Sequence, residues 1–210
     1  MMKLYDCTTA PSPQRVRIFL TEKGIDIPLV QVNLRDGEQL GEAFREINPD
    51  CTVPVLELDD GTRISEIFAI CQYLESQCPE PVLMGKNALE QALVSMWNSK
   101  IEQHGLAALA ETLRNRAKGM QDRALPGPLN LAQIPQLVER GRIRTEAFFD
   151  RLDGQLKDNA FVTGDVFTMA DITAYVMIKF AGWSKLEIQD SQKNLQRWHE
   201  LVSSRPSTTA

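Results

Sequence analysis

The stretch T-V-P-V-L-E-L-D-D-G-T-R-I-S-E-I-F-A-I-C-Q-Y-L, residues 52–74, contains the signals that decide the fold. Val53-Pro54 opens a short apolar run, and an Asp-Gly turn separates it from a second run, which predicts a β-hairpin. A helix follows directly, with Ser65 and Glu66 as its predicted first residues. A proline and an acidic helix N-terminus would then lie at the same end of a small sheet, an arrangement that suits a peptide-like ligand.

Length and composition set the class of protein. The chain has 210 residues, 43% hydrophobic and 24% charged, which is typical of a globular protein with one large or two small domains. The net charge of −5, without a run of basic residues, argues against a nucleic-acid partner. The sequence contains neither a long apolar run nor the apolar stretch of a signal peptide, so we expect a cytoplasmic protein that does not enter a membrane.

The cysteine pattern predicts neither a disulfide framework nor a metal site. The four cysteines form no C-x-x-C pair and have no zinc-like spacing with either histidine. They are Cys7, Cys51, Cys71 and Cys78. We therefore expect reduced thiols and no bound metal.

The order of predicted elements divides the chain into two domains. Residues 1–78 alternate strand and helix signals in the order βαβ and then αββα, which predicts an α/β domain. Residues 79–87 contain two prolines and are interpreted as a linker. Strand signals are absent beyond this point, so residues 88–210 predict an all-α domain. Its predicted long helices begin near 89, 134, 168 and 195, and 119–133 is a predicted loop.

The sequence Thr168-Met-Ala-Asp171 predicts a capping box at the start of one of these helices. In such a box the threonine hydroxyl accepts from the aspartate amide, and the aspartate carboxylate accepts from the threonine amide. Phe167 and Ile172 occupy the two positions of a hydrophobic staple. We interpret this motif as structural.

Four motifs in this order resemble the cytosolic glutathione transferases. They are T-V-P-V-L, the acidic residue opening the next helix, A-I-C-Q-Y-L at its end, and G-D-V-F-T-M-A-D-I-T. The opening K-L-Y-D-C-T-T-A-P-S-P-Q-R-V-R-I-F-L is most similar to a proteobacterial and fungal branch of that family. The resemblance implies a thioredoxin-like first domain, glutathione as co-substrate, and a homodimer. It also implies that the helical domain contributes the electrophile site and part of the dimer interface.

The resemblance further implies where glutathione binds. A cis Val53-Pro54 bond would turn the Val53 backbone out of the sheet toward the cysteinyl part of glutathione. The Glu66 carboxylate would take the γ-glutamyl ammonium group, and the helix amides would hold the α-carboxylate. The chain departs from the family here, because Ile67 stands where a serine is usual. Either backbone amides replace that hydroxyl, or Ser65 does so from a shifted position.

Two further positions are candidates for the glycine carboxylate of glutathione. Gln39 follows the second predicted strand, and Thr52 precedes Val53. Polar residues in such loops are usually only solvated, so both readings stay open. His104, on the first long helix, is interpreted as a packing or surface histidine rather than a catalytic base.

The group that activates the thiol is not fixed by the sequence. Alignment on V-R-I-F-L puts Ala10 or Pro11 at the usual serine or cysteine position, with Ser12 close by. Ser12 is the candidate catalytic donor to the thiolate, or else a plain helix cap. Tyr5 is expected to pack in the core. If none of these serves, an ordered water or a group on the first long helix is required.

The sequence thus predicts a transferase that conjugates glutathione to a small hydrophobic electrophile. A first alternative is a glutathione-dependent disulfide oxidoreductase that forms a mixed disulfide at Cys7. A second is a transferase-like binding or regulatory module, which the unusual Ile67 favours.

Overall fold

A computed structural model describes residues 1–209, which divide into two units. The first contains residues 1–81 and 126–129, and the second contains 82–125 and the described residues from 130 onward. The 79–87 segment is therefore divided between the units. The boundaries at 78 and 88 stay a prediction.

The first unit is built on a four-stranded mixed sheet. The elements are β1 (Lys3–Asp6), α1 (Pro11–Lys23), β2 (Leu29–Gln31), a 3₁₀ turn (Glu38–Leu40), α2 (Glu42–Ile47), β3 (Val55–Glu57), β4 (Arg63–Ile64) and α3 (Ile67–Gln77). Strands β2 and β1 pair in parallel, while β3 pairs antiparallel with both β1 and β4, in the order β2-β1-β3-β4. The predicted hairpin is present, and the predicted α/β thioredoxin-like class of this domain is confirmed.

The regular elements in the described part of the second unit are all helical. Its elements are α4 (Ala88–Lys100), a π-helical segment (Ile101–Leu106), α5 (Ala107–Arg114), a 3₁₀ turn (Lys118–Met120), α6 (Gln136–Gln155), α7 (Met169–Ala181), a 3₁₀ turn (Gly182–Ser184), α8 (Lys193–Ser203) and α9 (Pro206–Thr209). The predicted all-α class is confirmed. The π-helical segment was not predicted. A Cβ on Gly105 in this segment would overlap the Met177 sulfur, so glycine permits the close approach of α7.

A buried lysine in the first unit anchors the residues that follow α3. The Lys23 side chain is completely buried. Its Nζ donates to the carbonyls of Cys78 at 2.9 Å, Pro79 at 3.1 Å and Pro81 at 2.5 Å, and it forms an ion pair with Glu75. Residues 79–81, predicted as the start of a linker, are therefore fixed to α1.

The predicted capping box is present at the start of α7. Its aspartate does more than cap the helix. Asp171 is fully buried and also accepts hydrogen bonds from the Trp198 indole and the Val162 amide. One carboxylate thus joins α7, α8 and the loop before α7.

None of the helices in residues 1–209 has the length and apolar character that a membrane span needs.

Candidate functional site

The segment before β3 presents an unpaired stretch of backbone. The Val53–Pro54 peptide bond is cis, as the resemblance implied. Within residues 1–209, neither the N–H nor the C=O of Val53 takes part in a hydrogen bond. Asn48 orders the residues just before it, because its Nδ2 donates to the Thr52 carbonyl at 2.9 Å and to the Thr52 hydroxyl at 3.0 Å. A donor and an acceptor thus stand side by side for an extended peptide-like ligand.

Helix α3 begins later than the sequence predicted. Ser65 lies outside it, and Glu66 is its N-cap, with φ 67° and ψ 119°. This positive φ on a residue other than glycine is a strained conformation of the kind that clusters at ligand sites. No side chain caps the helix, and the first-turn amides, beginning with Ile67, have no acceptor within residues 1–209. The Glu66 side chain is exposed beside these amides.

The unusual Ile67 packs rather than binds. Its side chain is 8% exposed and belongs to the buried face of α3. Ser65 is half-buried, and its hydroxyl forms no hydrogen bond within residues 1–209. An anion at this end of α3 would therefore be held by backbone amides, with Ser65 as the hydroxyl nearest in the chain.

In the turn after β1, Ser12 does not occupy the cap position of α1. Ala10 is the N-cap of α1, and Ser12 lies within the first turn, so the capping interpretation is wrong. Its Oγ lies 3.5 Å from the Arg15 guanidinium. Pro11 and Pro13 have no N–H, and Gln14 donates to the Ala10 carbonyl. In the first turn of α1, therefore, the Ser12 amide is the one N–H that has no acceptor within the described residues.

Two other candidate site residues near this turn, Cys7 and Tyr5, are buried in the core. Cys7 is 9% exposed, and its sulfur contacts the Thr9 hydroxyl at 3.6 Å. Tyr5 is buried, as predicted, and its hydroxyl donates to Glu57 at 3.1 Å. Hydrogen bonds, first from Lys3, lower the pKa of Glu57 to about 2. The Tyr5 hydroxyl therefore already donates to an ionised carboxylate.

The two candidates for the glycine carboxylate have different surroundings. Gln39 is not the solvated loop residue that its sequence context suggests: it is only 8% exposed, and its Oε1 is buried without a partner in residues 1–209. Thr52 is half-buried and retains a hydroxyl proton to donate. His104 is exposed on the π-helical segment, with its ring 6.2 Å from that of Phe148.

Sequence reasoning missed the network that holds the turn after β1. The completely buried Asp6 carboxylate pairs with Arg17 and accepts from Gln31 at 2.6 Å. Arg17 also donates to the carbonyls of Cys7 and Thr8 at 3.4 and 2.9 Å. An aspartate ending an apolar strand was the available signal, because such a carboxylate needs a cation when buried.

Comparisons with known proteins agree with this geometry. The glutathione S-transferase N-terminal domain family matches residues 9–77, and the C-terminal domain family matches residues 107–206. Glutathione S-transferase 2 of Saccharomyces cerevisiae is 34% identical over 209 residues, which are 98% of this chain and 87% of the yeast protein.

Two solved structures show the same likeness. A glutathione S-transferase domain-containing protein of Marinobacter aquaeolei VT8 matches with a TM-score of 0.90 and 37% identity, covering 98% of this chain and 99% of that one. A glutathione S-transferase of Methylobacillus flagellatus, solved with glutathione bound, matches with a TM-score of 0.83 and 25% identity, covering 100% and 98%. Both domain families occur in the predicted order, and the fungal relative matches nearly the whole length. The chain therefore belongs to the glutathione S-transferase family.

Proposed function

We propose that this glutathione S-transferase conjugates the glutathione thiolate to a small hydrophobic electrophile. The observation that carries the proposal is the unpaired backbone in the first unit. Within residues 1–209 the Val53 N–H and C=O make no hydrogen bond, and helix α3, which follows later in the same motif, has no side-chain cap. An extended tripeptide with one ammonium and two carboxylate groups can satisfy both features. Its backbone can pair with Val53, and one carboxylate can accept from the first amides of α3. The bound glutathione reported for the Methylobacillus protein supports the same ligand.

Each part of glutathione has an assigned contact in this proposal. The Val53 N–H and C=O pair with the cysteinyl backbone. Glu66 takes the γ-glutamyl ammonium, and the first-turn amides of α3 hold the adjacent carboxylate together with Ser65. The Gln39 amide nitrogen and the Thr52 hydroxyl are donors for the glycine carboxylate.

Thiol activation is the demanding step. Lowering a thiol pKa by two units takes about 2.7 kcal/mol of differential stabilisation. The prolines in the first turn of α1 leave one open amide there, so the helix end alone supplies little of this. We assign the remainder to the Ser12 hydroxyl, beside the Arg15 guanidinium, as donor to the thiolate. An ordered water or a group on α4 or α5 is the alternative source.

The first test is an ultraviolet titration of the bound glutathione thiol from about pH 5 to 9. In the wild type we expect thiolate near neutral pH. In Ser12→Ala we expect the thiol pKa to rise by about one unit, because a hydrogen bond to a charged group is worth about 1.5–3 kcal/mol. Thr9→Ala, which removes another hydroxyl from the same turn, is the matched control and should leave the pKa unchanged.

The outcomes of this titration separate the possibilities. If the thiol is ionised in the wild type and equally ionised in Ser12→Ala, another group activates it, and the proposed transferase activity still stands. A wild-type thiol with the pKa of free glutathione would contradict the proposed chemistry. Failure of glutathione to bind would contradict the site itself.

Replacing Glu66 with alanine is expected to weaken glutathione binding by about tenfold or more, because a charge-assisted hydrogen bond is lost. Glu66→Gln retains an acceptor and should lose less. Both replacements keep a side chain at φ 67°, so the backbone strain is matched. Calorimetric titration with glutathione measures both. Equal affinities of wild type and Glu66→Ala would remove Glu66 from the site.

Three further features extend the proposal. From the family resemblance we infer a homodimer, a cytoplasmic location, and an electrophile held by the helical domain. Size measurement in solution tests the first of these.

A further inference from the structure

Residues 114–123, R-N-R-A-K-G-M-Q-D-R, are strongly basic within an acidic chain. They contain four cationic residues and one acidic residue, whereas the whole chain carries a net charge of −5. The segment runs from the end of α5 into the loop that follows it. Such a local reversal of charge attracts anions.

The side chain of Arg114, at one end of this segment, is tied to the backbone of Arg123 at the other. The Arg114 Nη1 donates to the Arg123 carbonyl at 2.7 Å, and Gln133 Nε2 donates to the Arg114 carbonyl at 2.5 Å. The backbone at Arg123 is fixed in turn, because the Leu131 amide donates to the Asp122 backbone carbonyl at 2.9 Å and the Ala124 amide donates to the Leu131 carbonyl at 3.0 Å. The Arg114 guanidinium and the backbone that carries Arg123 are therefore both fixed in place.

Neither of these arginines has a counter-ion among the described residues. Within residues 1–209 no ion pair joins Arg114 or Arg123 to a carboxylate, and the Arg123 Nε is buried without a hydrogen-bond partner. Arginines 140, 142 and 144, by contrast, each pair with a glutamate. Burial, and then the adjacent Arg123 charge, lowers the pKa of Arg114.

This arrangement is unfavourable unless an anion completes it. Buried polar groups are hydrogen-bonded in the great majority of cases, and neighbouring like charges repel each other. Two planar guanidinium groups together match the oxygens of a carboxylate, which can accept from both. Beside them, Leu125 and Leu131 are 56% and 38% exposed and offer an apolar surface.

We propose that Arg114 and Arg123 form a binding site for the carboxylate of an aromatic or other apolar acid, which is the second substrate. This deepens the proposed function and rests on it. The acid group binds to the two arginines, and the apolar body of the molecule lies along the leucine side chains. The enzyme would thus prefer electrophiles that carry a carboxylate over neutral ones.

The test compares two electrophiles that differ only in charge, 4-chloro-3-nitrobenzoate and its methyl ester. With either probe the thiolate sulfur bonds to the ring carbon, and the carbon–chlorine bond breaks with chloride taking the electron pair. Wild-type kcat/KM for the acid is expected to exceed that for the ester by about tenfold, which is the worth of charge-assisted hydrogen bonds. The intrinsic reactivity of each probe is measured without enzyme and divided out.

Two variants and a matched control locate the effect. Arg114→Met and Arg123→Met should each lower kcat/KM for the acid by about tenfold while the ester changes by less than about twofold. Arg116→Met removes the same charge from an exposed position in the same segment and should change neither. Equal turnover of acid and ester by the wild type, or loss of acid preference in Arg116→Met alone, would overturn the proposal.

A binding experiment decides the proposal even if no probe is turned over. Benzoate is expected to raise the thermal unfolding temperature of wild type and Arg116→Met but not of Arg123→Met. Without benzoate, Arg123→Met should unfold no earlier than wild type, because it removes an uncompensated charge. Absence of any benzoate effect on the wild type would overturn the anion site. Turnover of neither probe, with benzoate still binding, would contradict the proposed function and leave the anion site supported.

Discussion

Asp171→Ala is expected to lower the free energy of unfolding by about 3–5 kcal/mol, because it leaves several buried donors without an acceptor. The fully buried carboxylate accepts from Val162 N and Trp198 Nε1, both at 2.8 Å. It also accepts from the Thr168 amide at 3.0 Å and its hydroxyl at 3.2 Å. Urea denaturation of wild type and variant measures the difference. Asp171→Asn keeps one acceptor oxygen and should fall between them.

The same carboxylate gives a pH dependence with a definite sign. Burial raises the pKa of Asp171 from 3.8 to about 6, although its hydrogen bonds act in the opposite direction. Between these pH values the folded state holds a proton that the unfolded state has lost. The contribution of Asp171 to stability therefore falls as pH rises through this window, by up to about 3 kcal/mol, and is constant above it.

Comparison with Asp171→Asn isolates this contribution, since all other titrating groups are common to both proteins. The stability of wild type relative to Asp171→Asn should decrease between about pH 4 and pH 6. Urea denaturation at intervals across that range provides the measurement. A difference that increases with pH would mean that the hydrogen bonds outweigh burial and that the carboxyl pKa is lowered.

Lys23→Met should also destabilise the protein by about 3–5 kcal/mol, since breaking a buried ion pair leaves an uncompensated charge. The ammonium group has three carbonyl acceptors and the Glu75 carboxylate, and its side chain is completely buried. Methionine keeps the apolar stem but removes every one of these bonds. We therefore expect Lys23 to be a main stabilising contact of residues 78–81.

Glu75→Gln is the matched variant for Lys23. It removes the ion pair but retains the three carbonyl contacts, so its loss should be smaller than that of Lys23→Met. Urea denaturation of both single variants and the double variant yields their coupling energy. A change of less than about 0.5 kcal/mol in Lys23→Met, the size expected of a surface substitution, would contradict this role.

The sequence predicted the parts of the fold that depend on neighbours in the chain. The Asp-Gly hairpin and the capping box at Thr168 each depend on residues a few positions apart, and both are present. Periodicity likewise separated the α/β part from the helical part. The start of α3 was placed two residues early, because the left-handed conformation of Glu66 has no signal in local propensity.

The candidate site was predictable only where a motif marks it. Val53, Pro54 and Glu66 belong to a recognisable pattern, whereas the burial of Gln39 contradicts its loop-like sequence context. The exclusion of Ser12 from the cap position required the φ and ψ angles of Ala10. Such features depend on how the turn packs, which residue types alone do not specify.

By itself, then, the sequence determined the order of the α/β and helical parts, because this follows from local spacing. Its motifs also carried the family resemblance, which in turn implied the cis Val53–Pro54 bond. Tertiary structure decided which charges are compensated. Lys23 meets carbonyls 55 to 58 residues away, and Asp171 meets Trp198 27 residues away. Arg114 donates to the Arg123 carbonyl, but within residues 1–209 neither arginine pairs with a carboxylate. Charges interact through space, so their partners become known only when the folded chain brings distant residues together.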